Sequence, residues 1–352
     1  MDLETSGDAA TLAGRRRSRI AKATAIGAAA LLTAACSTSS TAQGEDGTGP
    51  APTGAVSATQ ADVAQLVDIG NGRSIYLECR GRGGPTVVLV NGLGERADNW
   101  MVTNANPSSD KGSVFAEVAG LTRVCAYDRP GTATATETGF NLSRSTPLAS
   151  PATVGDSAAD LDRLLTAAGE SGPYVFVGHS LGGPIMRLYA AAHPKAVAGL
   201  VFDDALSENL GDTLTPDQLA EFEKLNDPVQ QGRPAGSESA MYTAAVVPLL
   251  QKAPVVAGVP TVILTADQWP FTADVIDAGH ASGTIPAFVT NEFSAALWAA
   301  QLKAQDTLAT KYPGAKHVTK TNAGHYIHLD NPQLVINSIR EVVDQVRAEP
   351  SP

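Results

Sequence analysis

The feature that most constrains the fold of this chain is the segment Gly-His-Ser-Leu-Gly at residues 178–182. It follows an apolar run at residues 174–177 and opens a predicted amphipathic helix over residues 181–193. Glycines two positions before and after one serine, between a strand and a helix, favour a turn too tight for neighbouring Cβ atoms. Such a turn presents the Ser180 hydroxyl above the strand, beside the free N–H groups that begin the helix. The alternative is a glycine-rich turn that carries an ordinary serine.

Short apolar segments alternate with longer amphipathic ones along the rest of the chain. The segments predicted to be strands lie at residues 67–79 (a hairpin), 86–90, 123–127, 174–177, 199–202, 259–265 and 315–320. Helices are predicted at residues 153–169, 181–193, 291–310 and 332–347. This alternation is typical of an α/β fold, in which helices cover both faces of a mostly parallel sheet.

One interval, residues 206–257, interrupts the alternation. It contains an acidic helical stretch at residues 217–225 and an apolar stretch at residues 241–250. Because it lies between two predicted strands, we interpret it as a small helical lid. The lid is inserted into a single domain that we expect to span residues 62–349.

The charge of the chain argues against one class of partner. The 352 residues carry a formal net charge of −11. Nucleic-acid binding depends on clustered cations that neutralise phosphates. A chain this acidic is therefore a poor candidate for binding nucleic acid.

The N-terminal region has the pattern of an export signal. A basic cluster at residues 15–22 precedes a mostly apolar run at residues 23–35, which is too short to span a membrane as a helix. The small residues before Cys36 resemble the end of a bacterial lipoprotein signal, which implies removal of residues 1–35 and lipidation of Cys36. The alternative is an ordinary cleaved secretory signal in which Cys36 has no role.

Residues 36–61 consist mostly of small and polar residues and predict a flexible linker. The protein would then be held at the membrane by its lipid. We expect an exported protein, either a cell-envelope lipoprotein on the outer face of the cytoplasmic membrane or a secreted one.

A serine nucleophile needs a general base, and two histidines near the C-terminus are candidates. His325 lies on the loop after the last predicted strand, which reaches the same edge of a parallel sheet as Ser180. His328 is the alternative base, or a packing residue at the start of the last helix. A metal site at these two histidines lacks a third ligand at a recognisable spacing. The His179 side chain is expected to point away from the serine hydroxyl.

Taken together, these motifs resemble the α/β-hydrolase family. The chain also has Asn-Gly-Leu-Gly at residues 91–94 and Tyr-Asp-Arg-Pro-Gly at residues 127–131, in the family's order. The resemblance runs from about residue 62 to residue 347 and is closest to serine esterases and lipase-like members. It implies an α/β-hydrolase fold, with a mostly parallel central sheet flanked by helices and a small helical lid.

The resemblance also implies where an oxyanion would bind. The family uses the N–H after the nucleophile, here that of Leu181, and one from an early loop, here that of Leu93. Many members have His-Gly in that loop, where this chain has Asn91 and Gly92. Asn91 is a candidate to hold the loop through a side-chain hydrogen bond.

Cys79 and Cys125 are a candidate disulfide, because an exported chain passes through an oxidising compartment. The alternative is two buried thiols that act as small apolar residues. In the family's sheet order the two strands that carry them are neighbours, which favours the bond.

Three aspartates are candidates for the carboxylate that orients the histidine. Most of the family carries it as Gly-x-x-Asp, where this chain has Ala-Asp-Gln-Trp at residues 266–269. A minority carries it one strand earlier, where this chain has Asp203 and Asp204. Asp204 aligns with those members and is preferred over Asp267 and Asp203.

The sequence therefore predicts an exported serine hydrolase that cleaves carboxylic esters of small molecules or lipids. Ser180, His325 and Asp204 would form the triad, and an acyl-enzyme would be the intermediate. This chemistry requires no metal or organic cofactor. The alternative is a lipoprotein that keeps the fold and binds a ligand without catalysing a reaction. Asn91 and Trp269, which depart from the family's pattern, leave this alternative open.

Overall fold

A computed structural model describes residues 61–136 and 138–348. The predicted signal peptide (1–35), the lipidation site Cys36 and all but the last residue of the predicted linker lie outside this part. In the part of the chain that is described, no helix combines the length and the apolar composition that a membrane crossing needs.

Within residues 61–136 and 138–348, ten strands form one eight-stranded sheet and one separate hairpin. The strands are β1 (Val63–Gly70), β2 (Arg73–Arg80), β3 (Thr86–Val90), β4 (Val124–Tyr127), β5 (Ala133–Thr136), β6 (Gly139–Leu142), β7 (Tyr174–His179), β8 (Val197–Asp203), β9 (Thr261–Leu264) and β10 (Lys316–Val318). The large sheet has the order β1-β2-β4-β3-β7-β8-β9-β10. The six strands from β4 to β10 in this order are parallel, and β1 and β2 add an antiparallel edge.

Helices cover both faces of the large sheet. They are α1 (Val114–Ala119), α2 (Val154–Ala167), α3 (Gly182–Ala192), α4 (Pro216–Leu225), α5 (Val247–Lys252), α6 (Ala273–Ser282), α7 (Asn291–Thr310), α8 (Ile327–Asp330) and α9 (Pro332–Ala348). Residues of α2, α3 and α7 pack into the core on one face, and residues of α1 and α9 pack into the core on the other. The architecture agrees with the predicted parallel sheet between two helical layers.

Strand β3 illustrates why the central strands read as continuous apolar runs. All five of its residues are buried, and its side chains alternate between the two cores. Val88 and Val90 pack on the α2–α3 side, while Val87 and Leu89 pack on the α1–α9 side. A strand that is buried on both faces has no polar face to reveal its period.

Cys79 and Cys125 lie opposite each other on β2 and β4. They form a disulfide with an S–S distance of 2.08 Å, and both side chains are buried. The bond links the antiparallel edge of the sheet to its parallel part.

The predicted lid, residues 206–257, lies between β8 and β9. It contains α4, α5 and a π-helical turn at Tyr242–Val246, with irregular chain between them. Several other elements have no counterpart in the predictions: the β5–β6 hairpin, α1, α6 and α8. The hairpin follows the Tyr-Asp-Arg-Pro-Gly segment and packs beside the loop after β3, where the Ala133 N–H donates to the Gly94 carbonyl.

Candidate active site

Ser180 occupies the turn between β7 and α3 with a φ angle of +48°. The chain here is too crowded for side chains on either flank. A Cβ on Gly182 would lie 2.1 Å from the Val90 carbonyl oxygen, and one on Gly178 would lie 2.8 Å from Met186 Sδ. The positive φ of a non-glycine residue is strained, and the surrounding packing maintains it. The Ser180 side chain is half-buried at the carboxyl edge of the parallel strands.

His325 and Asp204 are hydrogen-bonded across this edge. The His325 Nδ1 atom lies 2.6 Å from Asp204 Oδ2, a short hydrogen bond. The Asp204 carboxylate is buried, and its other oxygen accepts a hydrogen bond of 3.0 Å from the Ala266 N–H. Because Asp204 engages Nδ1, the free ring nitrogen of His325 is Nε2. The described residues contain no hydrogen bond between Ser180 and the His325 ring.

His328, the alternative base, is paired with a different aspartate. Its Nδ1 atom lies 2.6 Å from Asp203 Oδ2, and its Nε2 atom lies 3.1 Å from Asn99 Nδ2. An N–H at Nδ1 donates to the carboxylate, and the lone pair at Nε2 accepts from the amide. The ring is buried and packs on Trp100 at a centroid distance of 4.3 Å. Both nitrogens are thus occupied, as expected of a packing residue.

Asp267, the alternative acid, binds the backbone of the loop before His325. Its Oδ1 atom accepts a hydrogen bond of 3.1 Å from the Ala323 N–H and lies 3.4 Å from the Thr321 hydroxyl. These contacts fix the chain two residues before His325 rather than its ring. The nearby Trp269 donates from Nε1 to the Ser294 hydroxyl of α7 at 2.7 Å.

The loop after β3 holds the second predicted oxyanion donor. The Asn91 side chain donates to the carbonyl oxygens of Glu95 and Tyr127, at 3.1 and 3.0 Å. The buried guanidinium of Arg129 donates to the carbonyls of Asn91 and Gly92. The loop is therefore fixed from both sides by buried donors.

The two predicted oxyanion donors are both free. Among the described residues, neither the Leu93 N–H nor the Leu181 N–H donates to another group. Most backbone N–H groups in a folded protein are paired, so these two unpaired ones, on the loop after β3 and at the start of α3, are available to a ligand oxygen.

His179 connects the loop after β3 to the loop of His325. Its Nδ1 atom lies 3.1 Å from Glu95 Oε2, and its Nε2 atom lies 3.0 Å from the backbone carbonyl of His325. Both partners accept hydrogen bonds, so both ring nitrogens carry protons and the ring is an imidazolium. The same Glu95 oxygen accepts a hydrogen bond of 2.8 Å from the Gly92 N–H.

The pKa values of this pair are shifted in the direction of an ion pair. Burial disfavours the charged ring of His179, but the Glu95 carboxylate outweighs it and raises the pKa to about 9. Burial likewise opposes ionisation of Glu95, and the charge and hydrogen bond of His179 lower its pKa to about 2. No local pattern predicts this pair, because its members lie 84 positions apart in the chain.

Glu95, His179 and His328 also form a group of side chains close enough together to hold a metal ion. Their potential ligand atoms lie within 4.8 Å of one another, and all three side chains are buried. Each of these atoms is engaged, since His179 donates to Glu95 and His328 accepts from Asn99. Hydrogen bonds therefore satisfy the cluster without an ion.

Comparison with known proteins bears on the fold. A family model described as "alpha/beta hydrolase fold" matches residues 85–253. An uncharacterised protein of Schizosaccharomyces pombe is 33% identical over 149 residues, which cover 37% of this chain and 26% of that protein. The match thus spans about a quarter of the length of this curated relative.

Two solved structures resemble the chain over nearly their whole length. One is an N-acyl homoserine lactone degrading enzyme, 17% identical with a TM-score of 0.52 over 79% of this chain and 100% of that one. The other is a thermophilic esterase from Thermogutta terrifontis, 18% identical with a TM-score of 0.51 over 82% of this chain and 99% of that one. The predicted fold class is confirmed: this chain has an alpha/beta hydrolase fold.

Proposed function

We propose that this protein is an exported serine hydrolase that cleaves carboxylic esters with Ser180, His325 and Asp204. One observation carries the proposal: the Asp204 carboxylate lies 2.6 Å from His325 Nδ1, at the sheet edge where Ser180 occupies its strained turn. A buried carboxylate at Nδ1 fixes the tautomer that leaves Nε2 free to take a proton.

The proposed reaction has two steps. Ser180 Oγ attacks the ester carbonyl while His325 Nε2 accepts the hydroxyl proton, and the resulting oxyanion binds the N–H groups of Leu181 and Leu93. His325 then gives the proton to the leaving alcohol, which leaves an acyl group on Ser180. A water molecule, deprotonated by His325, attacks that acyl group and releases the carboxylic acid.

The structural likeness to an esterase supports the fold alone at 18% identity. The proposal for ester substrates therefore rests on the site. Its parts are the predicted nucleophile, a histidine oriented by a buried carboxylate and two unpaired backbone donors. This combination matches acyl transfer, and the acyl donor would be a small-molecule or lipid ester.

Export and lipidation are part of the proposal. The basic and apolar segments before Cys36 are typical of an export signal, and the Cys79–Cys125 disulfide is typical of a protein from an oxidising compartment. The lipid on Cys36 would hold the domain at the outer face of the cytoplasmic membrane. With a net charge of −11, the chain is not proposed to bind nucleic acid.

The test is hydrolysis of 4-nitrophenyl butyrate by the wild-type protein and by Ser180→Ala. The proposal predicts turnover that Ser180→Ala abolishes while the circular dichroism spectrum is unchanged. Ser109→Ala, at an exposed position, is the matched control and should retain full activity. Turnover that persists in a folded Ser180→Ala protein would rule out Ser180 as the nucleophile.

A further inference from the structure

Arg233, in the lid, is a partly buried cation that forms no ion pair with any described residue. Its Nη1 atom is buried with no hydrogen-bond partner, and its guanidinium forms no hydrogen bond or ion pair with any described residue. The three most buried arginines behave differently: Arg123, Arg129 and Arg187 each pair with a glutamate. Removing part of a charged group from water without a partner is costly, so an anionic ligand would be favourable at this position.

The Arg233 guanidinium lies against the loop that carries the predicted oxyanion donor. A Cβ on Gly94 would fall 1.4 Å from Arg233 Nη1 and 2.2 Å from Cζ. Gly94 directly follows Leu93, whose N–H is unpaired among the described residues. The side chain thus reaches from the lid to the residue beside a free backbone donor.

Hydrogen bonds link the loop beside Arg233 to the loop of His325. Glu95, on the loop after β3, binds His179, which in turn holds the His325 carbonyl. Burial lowers the pKa of Arg233, and the carboxylates of Glu238 and Glu95 oppose that shift without pairing with the guanidinium. The guanidinium therefore lies against a loop that is connected to the loop of His325.

The other charged side chains next to the loop after β3 already have partners. We call Arg129, His179, Arg233, Glu95 and Glu238 the loop charge cluster. Arg129 pairs with Glu238, and the His179 imidazolium pairs with Glu95. Within this cluster Arg233 is therefore the cation that has no pairing carboxylate among the described residues.

From these contacts we infer that Arg233 binds a carboxylate on the substrate, so that the site prefers esters that carry an anionic group near the scissile carbonyl. A guanidinium offers a planar pair of N–H donors that matches a carboxylate, and it stays charged when partly buried. The substrate carboxylate would give Arg233 the partner that Arg129 and His179 already have. The inference rests on the proposed esterase function for its substrate class.

The contrasting role for Arg233 is direct stabilisation of the oxyanion. In that case its loss would slow charged and neutral esters alike. Two pairs of esters that match in shape and differ in charge separate the two roles. One pair has the carboxylate on the acyl side: mono-4-nitrophenyl glutarate and its methyl ester. The other has it on the alcohol side: 3-carboxyphenyl butyrate and its methyl ester.

In at least one pair, wild-type kcat/KM should be higher for the anionic ester. Arg233→Gln should lower the ratio of anionic to neutral kcat/KM in that pair by at least about 30-fold, as expected on loss of a buried charge partner. Arg233→Lys should lower it less, because the ammonium keeps the charge but not the paired N–H geometry. Arg340→Gln, the same change at an exposed position of α9, should leave the ratio as in wild type. Equal ratios in wild type and Arg233→Gln for both pairs would overturn the inference.

Binding without turnover separates this inference from the proposed function. Ser180→Ala protein is titrated by calorimetry with monobenzyl glutarate and with its neutral methyl ester. We expect only the anionic ligand to bind, and we expect Ser180→Ala/Arg233→Gln to lose that binding while its thermal unfolding shows a folded protein. If binding follows this pattern but wild type hydrolyses no ester, the proposed function fails and the carboxylate site stands. If Ser180→Ala binds neither ligand, or binds both equally, the carboxylate site is wrong whether or not esters are hydrolysed.

Discussion

Asp203 and Asp204 are adjacent in the chain, yet their carboxylates bind two different histidines. Asp203 bonds His328 and Asp204 bonds His325, both at 2.6 Å. Asp203 is the last residue of β8, and Asp204 follows it at a φ angle of +42°. Successive strand residues point to opposite faces, so the two carboxylates diverge at the end of the strand. One pair is fully buried, and the other lies beside Ser180, with the His325 side chain 38% exposed.

The first prediction concerns the acid. Asp204→Asn keeps the shape of the side chain but favours the wrong tautomer of His325. In a related serine-histidine-aspartate site this change costs about 10⁴ in turnover. Asp267→Asn should stay within about tenfold, or about 1.4 kcal/mol of barrier, because its contacts are to loop backbone. Steady-state kcat with 4-nitrophenyl butyrate measures both variants.

The buried His328–Asp203 pair provides an internal control for the comparison of Asp204→Asn with Asp267→Asn. Asp203→Asn should reduce the free energy of unfolding, since it disturbs a buried hydrogen bond, while the folded fraction stays active. If Asp267→Asn is the variant that loses activity, or if Asp203→Asn and Asp204→Asn exchange their effects, the assignment of Asp204 is wrong.

The second prediction concerns the buried His179–Glu95 ion pair. The pKa of His179 is raised from 6.5 to about 9, so its contribution to stability is complete below pH 6.5 and is lost as the pH rises through 9. The pKa of Glu95 is lowered from 4.5 to about 2, so its contribution is complete above pH 4.5 and is lost as the pH falls toward 2. The pair therefore stabilises most between pH 4.5 and 6.5.

The measurement is urea unfolding of wild type and of the double variant His179→Asn/Glu95→Gln, which leaves no unpaired charge. The difference in their free energies of unfolding should shrink by about 3 kcal/mol between pH 6 and pH 9.5. The exposed pair His193 and Asp162, changed to asparagine at both positions, is the control and should give a nearly flat difference. A flat difference for the buried pair as well would show that His179 is neutral in the folded protein.

The third prediction concerns the N-terminus. Cys36→Ser should move the protein from the membrane fraction to the soluble exported fraction, because stable anchoring depends on the acyl chains at that residue. The mature wild-type protein should begin at Cys36, which N-terminal mass spectrometry reads directly. Unchanged fractionation together with a mature N-terminus elsewhere would identify an ordinary secretory signal.

The fold could be predicted where local signals mark the ends of an element. Strand β3 and helix α7 match the predicted bounds: β3 is one unbroken apolar run, and α7 begins directly after the N-cap residue Thr290. The β5–β6 hairpin was missed because Ala-Thr-Ala-Thr at residues 133–136 has no large apolar side chain. Helix α6 was missed because alanine and glycine dilute its apolar face.

The candidate active site could be predicted only in part, because only some of its residues belong to local sequence motifs. Ser180 and His325 stand in local motifs, whereas the role of a buried charge depends on residues far away in the chain. Glu95 binds His179, which is 84 positions away in the chain. Arg233 lies against Gly94, and the segment around Arg233 is rich in glycine and proline and has no recognisable sequence pattern. Such contacts are set by tertiary packing, which a single sequence does not display.

The most direct test of the account is the site of covalent modification by a fluorophosphonate, a neutral probe that reacts with activated serines. Peptide mapping by mass spectrometry should find one adduct, on Ser180. Labelling should be lost in Ser180→Ala, slowed by orders of magnitude in Asp204→Asn and close to wild type in Asp267→Asn. An adduct on a different serine, or no adduct on a folded wild-type protein, would contradict the claim that Ser180 is a nucleophile activated by His325 and Asp204.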